Sequence, residues 1–193
     1  MSEKKRTFIA VDFSEEVKGA IADLVEALQK SLGAGALIKW VETGNIHLTL
    51  QFLGDVDAGL FPKLCGGLAG AFTDVEPFAV SIAGLGAFPS LVRPRVLWAG
   101  FQAGADSLKA LATCAQRVTA PLGFAPEEKV FSPHVTLGRV RELPRSFPLG
   151  EKIQPLLHSS AGSCRITQVH LMASELKPKG PVYTTLDSFS LGR

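Results

Sequence analysis

The chain has 193 residues, 46% hydrophobic and 20% charged, with 20 Lys+Arg against 18 Asp+Glu for a formal net charge of +2. That length buries a real interior, as one domain or two small lobes sharing a core. The apolar share excludes disorder, and the near-balanced charge excludes a polybasic nucleic-acid binder, leaving only local contact at an end or a pocket.

In chain order, Thr7–Phe13 is β-branched and aromatic-rich and reads as a strand. Ser14 stands as an N-cap with Glu15 and Glu16 behind it, and Val17, Ile21, Leu24, Leu28 and Leu32 keep helical spacing up to a stop at Gly33. Leu37–Val41 and Ile46–Phe52 follow as strands. A helix through Leu60, Leu64 and Leu68 is diluted by glycines, and Phe78–Leu85 is a strand running into the turn-rich segment Gly84–Pro94. The second half repeats the order: strand Arg95–Phe101, a helix through Leu108, Leu111, Ala115, Val118 and Leu122, and strand His134–Leu137. A short amphipathic piece at Ile153, Leu156 and Leu157 leads to strands Arg165–Met172 and Val182–Phe189.

The two halves repeat in pattern, 7–85 against 95–172, with the strand 182–189 closing the chain. Two copies predict a pair of pseudo-two-fold-related lobes in one domain over 1–193, not a solenoid. Hairpin-rich strands with few βαβ spacings predict an α+β fold with mostly antiparallel sheets, outer helices and a central cleft.

Mean hydropathy is +0.22. Even so, the charge-free run Phe78–Val92 is 15 residues long and is broken by Gly84, Gly86 and Pro89, too short to cross a bilayer. The start, Met1-Ser-Glu-Lys-Lys-Arg, leads into a strand and not a signal segment. Three cysteines, Cys65, Cys114 and Cys164, lack any C-x-x-C spacing and predict reduced packing thiols in a cytoplasmic protein.

The best-preserved point of the repeat is His47-Leu-Thr-Leu50 against His134-Val-Thr-Leu137, 87 residues apart. On a strand, residues i and i+2 share a face, so each copy turns an imidazole and a hydroxyl one way and two aliphatics the other. One His-x-Thr alone is most simply a half-buried strand histidine bonded to a carbonyl; the symmetric pair points to chemistry. Two imidazoles across a cleft suit in-line phosphoryl transfer, one as base and one as acid near neutral pH. The hydroxyls of Thr49 and Thr136 would donate to the non-bridging phosphate oxygens. No metal or other cofactor is expected: H-E-x-x-H, paired Cys spacings and phosphate-loop glycine motifs are all absent, and Gly33-Ala-Gly35 and Gly84-Leu-Gly86 read as turns.

Lesser candidates surround the pair. Arg139 lies on Leu137's face if the strand is regular, or is re-aimed at the cleft as a phosphate ligand if Gly138 introduces a bulge. Trp40, after Lys39, reads as a core or hinge residue before a base-stacking one; Phe52 and Phe131 read as core before base platforms. Tyr183 is a candidate donor in the cleft. His158 and His170 lack a Thr at i+2 and read as surface residues.

These residues carry a resemblance. Phe8-Ile-Ala-Val-Asp12, Lys39-Trp-Val41, Asn45–Gly54, Gly84–Pro89, Arg93–Trp98, Phe131–Arg139 and Gly180–Tyr183 resemble, in order, the two-histidine phosphoesterase superfamily. Within it, they closely resemble the bacterial and archaeal RNA 2′,3′-cyclic phosphodiesterases once called 2′-5′ RNA ligases. The resemblance implies a bilobal fold that opens an RNA-terminal 2′,3′-cyclic phosphate to a 2′-phosphomonoester, with His47 as proton donor and His134 as proton acceptor. It implies RNA ends bearing that phosphate as the partner, with no membrane and no obligate protein partner. The alternatives are 2′-5′ ligation by the reverse chemistry and a non-catalytic RNA-end binding module. Gly138 before Arg139, where alanine is commoner, and Ser132 before Pro133, which leaves no basic residue there, are departures that bear on substrate preference.

Overall fold

The computed structural model describes residues 3–125, 130–178 and 180–192; Met1 and Ser2, at the start of the N-terminal segment, lie outside them. The elements run β1 (Lys4–Val11), α1 (Glu15–Leu32), β2 (Leu37–Trp40), β3 (Leu48–Asp57), α2 (Phe61–Thr73), β4 (Phe78–Phe88), β5 (Val96–Ala103), α3 (Ala105–Thr119), β6 (Val135–Glu142), α4 (Leu149–Ile153), β7 (Ser160–Ile166), β8 (Gln168–Lys177) and β9 (Gly180–Ser190). They form two sheets, ordered β3-β1-β8-β9 and β2-β6-β5-β4-β7, with every pairing antiparallel.

Local chemistry explains the first helix. Ser14 holds extended backbone and its side chain accepts from the Val17 N–H, while Glu15 and Glu16 sit where the helix dipole favours negative charge. Val17, Ile21, Leu24, Val25, Leu28 and Leu32 bury one stripe, and Gly33 at φ 63 ends the helix in a conformation that disfavours side chains. The helix packs on β7, with α4 beside it, while α2 and α3 pair with each other and cover β9 and β3.

Apart from the added edge strand β2, the sheet orders match: β3-β1-β8-β9 has the same positional logic as β6-β5-β4-β7. Each sheet draws strands from both halves of the chain, since β4 joins the second sheet and β8 the first. One apolar cluster joins the inward strand residues Ile9, Val11, Leu48, Leu50, Val135, Leu137 and Leu171 to Leu64, Leu68, Leu108 and Leu111 from the helices. Burying each such side chain contributes about 1.5–3 kcal/mol.

One expected strand is two. The run 165–172 breaks at Thr167: Ser160–Ile166 pairs with β4, and Gln168–Lys177 pairs with β1 and β9 in the other sheet. Thr167 and Gln168 are both exposed, which interrupts the period of two and lets the chain cross between sheets. A second close approach fixes a glycine. Gly86 pairs with Trp98, and a Cβ there would lie 2.1 Å from the indole Cζ2, so the ring lies flat on bare backbone.

Candidate active site

Both motif histidines sit one residue before a strand and not within one; β3 begins at Leu48 and β6 at Val135. Each ring is pinned from behind. His47 Nδ1 lies 2.7 Å from the carbonyl of Asn45, and His134 Nδ1 lies 2.7 Å from the carbonyl of Ser132. A carbonyl only accepts, so Nδ1–H donates in both rings, and each neutral imidazole presents an unprotonated Nε2. His47 Nε2 is 3.1 Å from Thr49 Oγ1, which donates to it when the ring is neutral. Aromatic rings hold the planes: a tilted Phe8 and an edge-on Tyr183 have centroids 5.0 and 5.1 Å from that of His47, and an edge-on Phe88 lies 4.9 Å from His134.

The two motifs share more than four residues. In the pairing of β1 with β3, Ala10 faces Thr49 and Ile9 faces Gln51, so Leu50 is an extra residue; in the pairing of β5 with β6, Trp98 faces Thr136 and Leu97 faces Gly138, so Leu137 is extra. Each motif is therefore followed by a bulge that turns two consecutive residues inward, Leu50 and Gln51 in one case and Leu137 and Gly138 in the other. The fifth residue after each histidine is thereby rotated onto the His–Thr face. That residue is Phe52 in the first copy and Arg139 in the second, both exposed. The bulged alternative expected for Arg139 is the one the backbone adopts. Phe52, read from sequence as core, is instead 54% exposed, with its ring 5.8 Å from Phe8. Trp40 and Phe131 are partly buried against the core.

The two copies approach each other through β9. Tyr183 stands edge-on to His47, and the charge of Arg139 reaches its hydroxyl; burial, the larger effect, pushes the Tyr183 phenol up while Arg139 pulls it down. Asn45 Nδ2 donates to the carbonyl of Pro181 at 3.2 Å, tying the turn before His47 to the same strand. Beside the second motif, a cavity of about 400 Å³ opens between β4, β5 and the start of α3, with Ser132 and Pro133 in its wall. The matching position in the first copy carries an ion pair. Asp12, which corresponds to Gly100 in that cavity's lining, binds Lys18 Nζ at 2.8 Å, and Glu15 binds the same ammonium at 3.4 Å. Burial lowers the Lys18 ammonium, but the Asp12 and Glu15 carboxylates more than reverse that, for a net rise.

Sequence reading missed His170. It pairs in register with Ala10, which in turn pairs with Thr49, so all three share one face of the sheet. Its Nδ1 lies 2.9 Å from Ser188 Oγ. It is half-buried and not a surface residue, and burial lowers its imidazole, with Asp12 opposing and Lys18 assisting. No Thr at i+2 marks it, so only the sheet register reveals its place. Among the described residues, no three His, Cys, Asp or Glu side chains are grouped to hold a metal ion, and no helix is long and apolar enough to cross a membrane.

Burial, the largest influence, holds the His47 imidazole below its ordinary value; the Asn45 carbonyl and Asp12 work upward, and Lys18 adds to the lowering. A group whose folded pKa is depressed takes up its proton more readily in the unfolded chain. Its contribution to stability is therefore present above the ordinary imidazole value of about 6.5 and lost as pH falls through the folded value. An NMR titration of the His47 ring is expected to show a midpoint below that of a free imidazole. A midpoint at or above it would mean that Asn45 and Asp12 outweigh burial.

Duplicated His-x-Thr ends on two antiparallel sheets, with both Nε2 atoms presented, define a two-histidine phosphoesterase arrangement. The model of the LigT-like phosphoesterase family matches residues 11–98 and 102–183, and the chain belongs to that family. Among curated relatives, the RNA 2′,3′-cyclic phosphodiesterase of Methanothermobacter thermautotrophicus is 35% identical over 97% of this chain and 100% of its own length. The Aquifex aeolicus protein of the same name is 35% identical over 90% and 92%. Among solved structures, the TT0787 protein of Thermus thermophilus superposes with a TM-score of 0.80 at 30% identity, covering 96% of this chain and 97% of that one. E. coli LigT complexed with 3′-AMP gives 0.78 at 25% identity, covering 98% and 99%.

Proposed function

We propose that this chain is an RNA 2′,3′-cyclic phosphodiesterase that opens the terminal ring to a 2′-phosphomonoester. The observation that carries the mechanism is the pair of imidazoles, each locked by a backbone carbonyl so that Nε2 carries the chemistry. His134 Nε2 takes a proton from water as the oxygen bonds to phosphorus. The P–O3′ bond breaks, and the leaving 3′-oxygen takes its proton from the His47 imidazolium. The electron pair of that bond stays on O3′, and the two rings end in exchanged protonation states, which solvent resets. Thr49, Thr136 and Arg139 donate to the non-bridging oxygens, where negative charge builds up in the transition state. The exposed Phe52 ring, on the same face as Thr49, offers a stacking surface for the terminal base.

The partner is thus an RNA end bearing a 2′,3′-cyclic phosphate. The proposed compartment is the cytoplasm, supported by three free cysteines. The test is an RNA oligonucleotide with a 2′,3′-cyclic phosphate end, incubated in EDTA, with the product's phosphate position identified. Retained turnover and a 2′-phosphate are expected. A 3′-phosphate would mean that the opposite P–O bond breaks, and a rate that vanishes on chelation and returns with one divalent ion would sink the acid–base scheme.

A further inference from the structure

The second motif's bulge has a neighbour that the reaction does not use. Lys39, on the edge strand β2, pairs in register with Arg139, which pairs in turn with Val96. Their direction is settled by Gly138 and its partner Trp40: a Cβ on Gly138 would strike Ile38 Cγ2 at 2.7 Å and Trp40 Cε3 at 3.0 Å, so that face is filled. Lys39 and Arg139, one residue along on each strand, occupy the opposite face, shared with His134 and Thr136. Both are exposed, and among the described residues neither has a carboxylate partner within ion-pair distance. Like charges directly opposite on adjacent strands destabilise a sheet, so the free protein bears this pair at a cost that an anion between them would relieve. The Lys39 ammonium also lies against β9, its Nζ 3.7 Å from where a Cβ of Gly180 would stand. It therefore stands between Arg139 and the start of β9, at the edge of the sheet.

We propose that Lys39 binds a backbone phosphate upstream of the cyclic end, so that the RNA strand leaves the cleft across β6 and β2 and an oligonucleotide is preferred over a nucleoside cyclic phosphate. This rests on the cyclic-phosphodiesterase reading. The cyclic phosphate carries one negative charge, already met by Arg139 and the two threonines. A terminal nucleotide with that ring on O2′ and O3′ continues only through its 5′-oxygen, and the phosphodiester there supplies the second charge. A planar guanidinium suits the two non-bridging oxygens at the reacting centre, while an ammonium on a flexible stem suits a strand whose position varies.

The experiment compares kcat/KM for adenosine 2′,3′-cyclic phosphate with that for a pentaribonucleotide ending in a 2′,3′-cyclic phosphate, in the wild type, Lys39→Gln and Lys39→Arg. In parallel, binding of the pentaribonucleotide ending in a 2′-phosphate is followed by anisotropy across a salt series. The wild type is expected to favour the pentamer, and Lys39→Gln to reduce that preference about threefold to fivefold, the loss of one partly screened charge contact, with Lys39→Arg restoring it. The salt slope of pentamer binding in Lys39→Gln is expected to flatten by about 0.7, one phosphate contact on a single strand. An equal loss on both substrates, or an unchanged salt slope, would overturn the proposal. A wild type that turns over neither substrate would remove the enzymatic reading, and the salt slope would still decide whether Lys39 holds RNA phosphate.

Discussion

Alanine at either His47 or His134 is expected to lower kcat by about 10²–10⁴-fold, the range a positioned general acid or base contributes. The double variant is expected to fall little below the worse single one, because a base without its acid, or an acid without its base, leaves the displacement half-assisted. Binding of the cyclic end falls far less, since Thr136 and Arg139 do not depend on either ring for their position. Thr136 pairs with Trp98, and Arg139 is set by the β6 bulge and its pairing with Val96 and Lys39. The rates are read with a cyclic-phosphate oligonucleotide at saturating and limiting concentrations, and folding is checked by thermal unfolding of each variant. The wild-type rate is expected to be bell-shaped in pH, its limbs giving macroscopic values that belong to the pair. Near-normal hydrolysis by His134→Ala would leave the paired scheme unsupported.

The legible part of this site is the part that follows strand periodicity. His47 with Thr49 and His134 with Thr136 share a face because i and i+2 always do, and the aliphatics between them enter the core as the pattern demands. What breaks period two was harder to read. Gly138 signals the second bulge, since a glycine within a strand often marks one. The first bulge has no such sign. A regular strand would set Gln51 on the polar face with His47 and Thr49, yet it is 1% exposed and its Oε1 accepts from Thr119 Oγ1 at 2.9 Å. That inward turn of a glutamine puts Phe52 outside, where a phenylalanine looks like core until α3 is docked. The division of 165–172 between two sheets has the same character, because apolar alternation on either side of Thr167 does not reveal which partner strand each piece finds. His170 and Lys39 become informative only through register, a long-range property that no local window contains.

The threonines separate by what they touch before substrate arrives. Thr49 Oγ1 lies 3.1 Å from His47 Nε2, while the Thr136 hydroxyl has no hydrogen-bond partner among the described residues. Replacing either with valine keeps the shape of the strand and removes one donor to the phosphate. Such a loss costs up to about 2.7–4 kcal/mol at an oxyanion-type contact and less where water substitutes, so kcat is expected to fall by as much as about 10²–10³-fold. Serine at either position is expected to recover most of the rate, since it returns the hydroxyl. The two valine variants then differ in pH dependence. A neutral His47 accepts from the Thr49 hydroxyl at Nε2, and a hydrogen bond to the neutral form lowers a pKa. Thr49→Val removes that bond and is expected to raise the His47 value. The pH profile of kcat/KM, which reports the free enzyme, is then expected to shift toward higher pH, the moving limb being a macroscopic value of the pair. Thr136→Val is expected to leave the profile in place. If both valine variants kept the wild-type rate, the hydroxyls would face away from the phosphate; a pH profile unmoved in Thr49→Val would mean that its hydroxyl does not bear on the His47 proton.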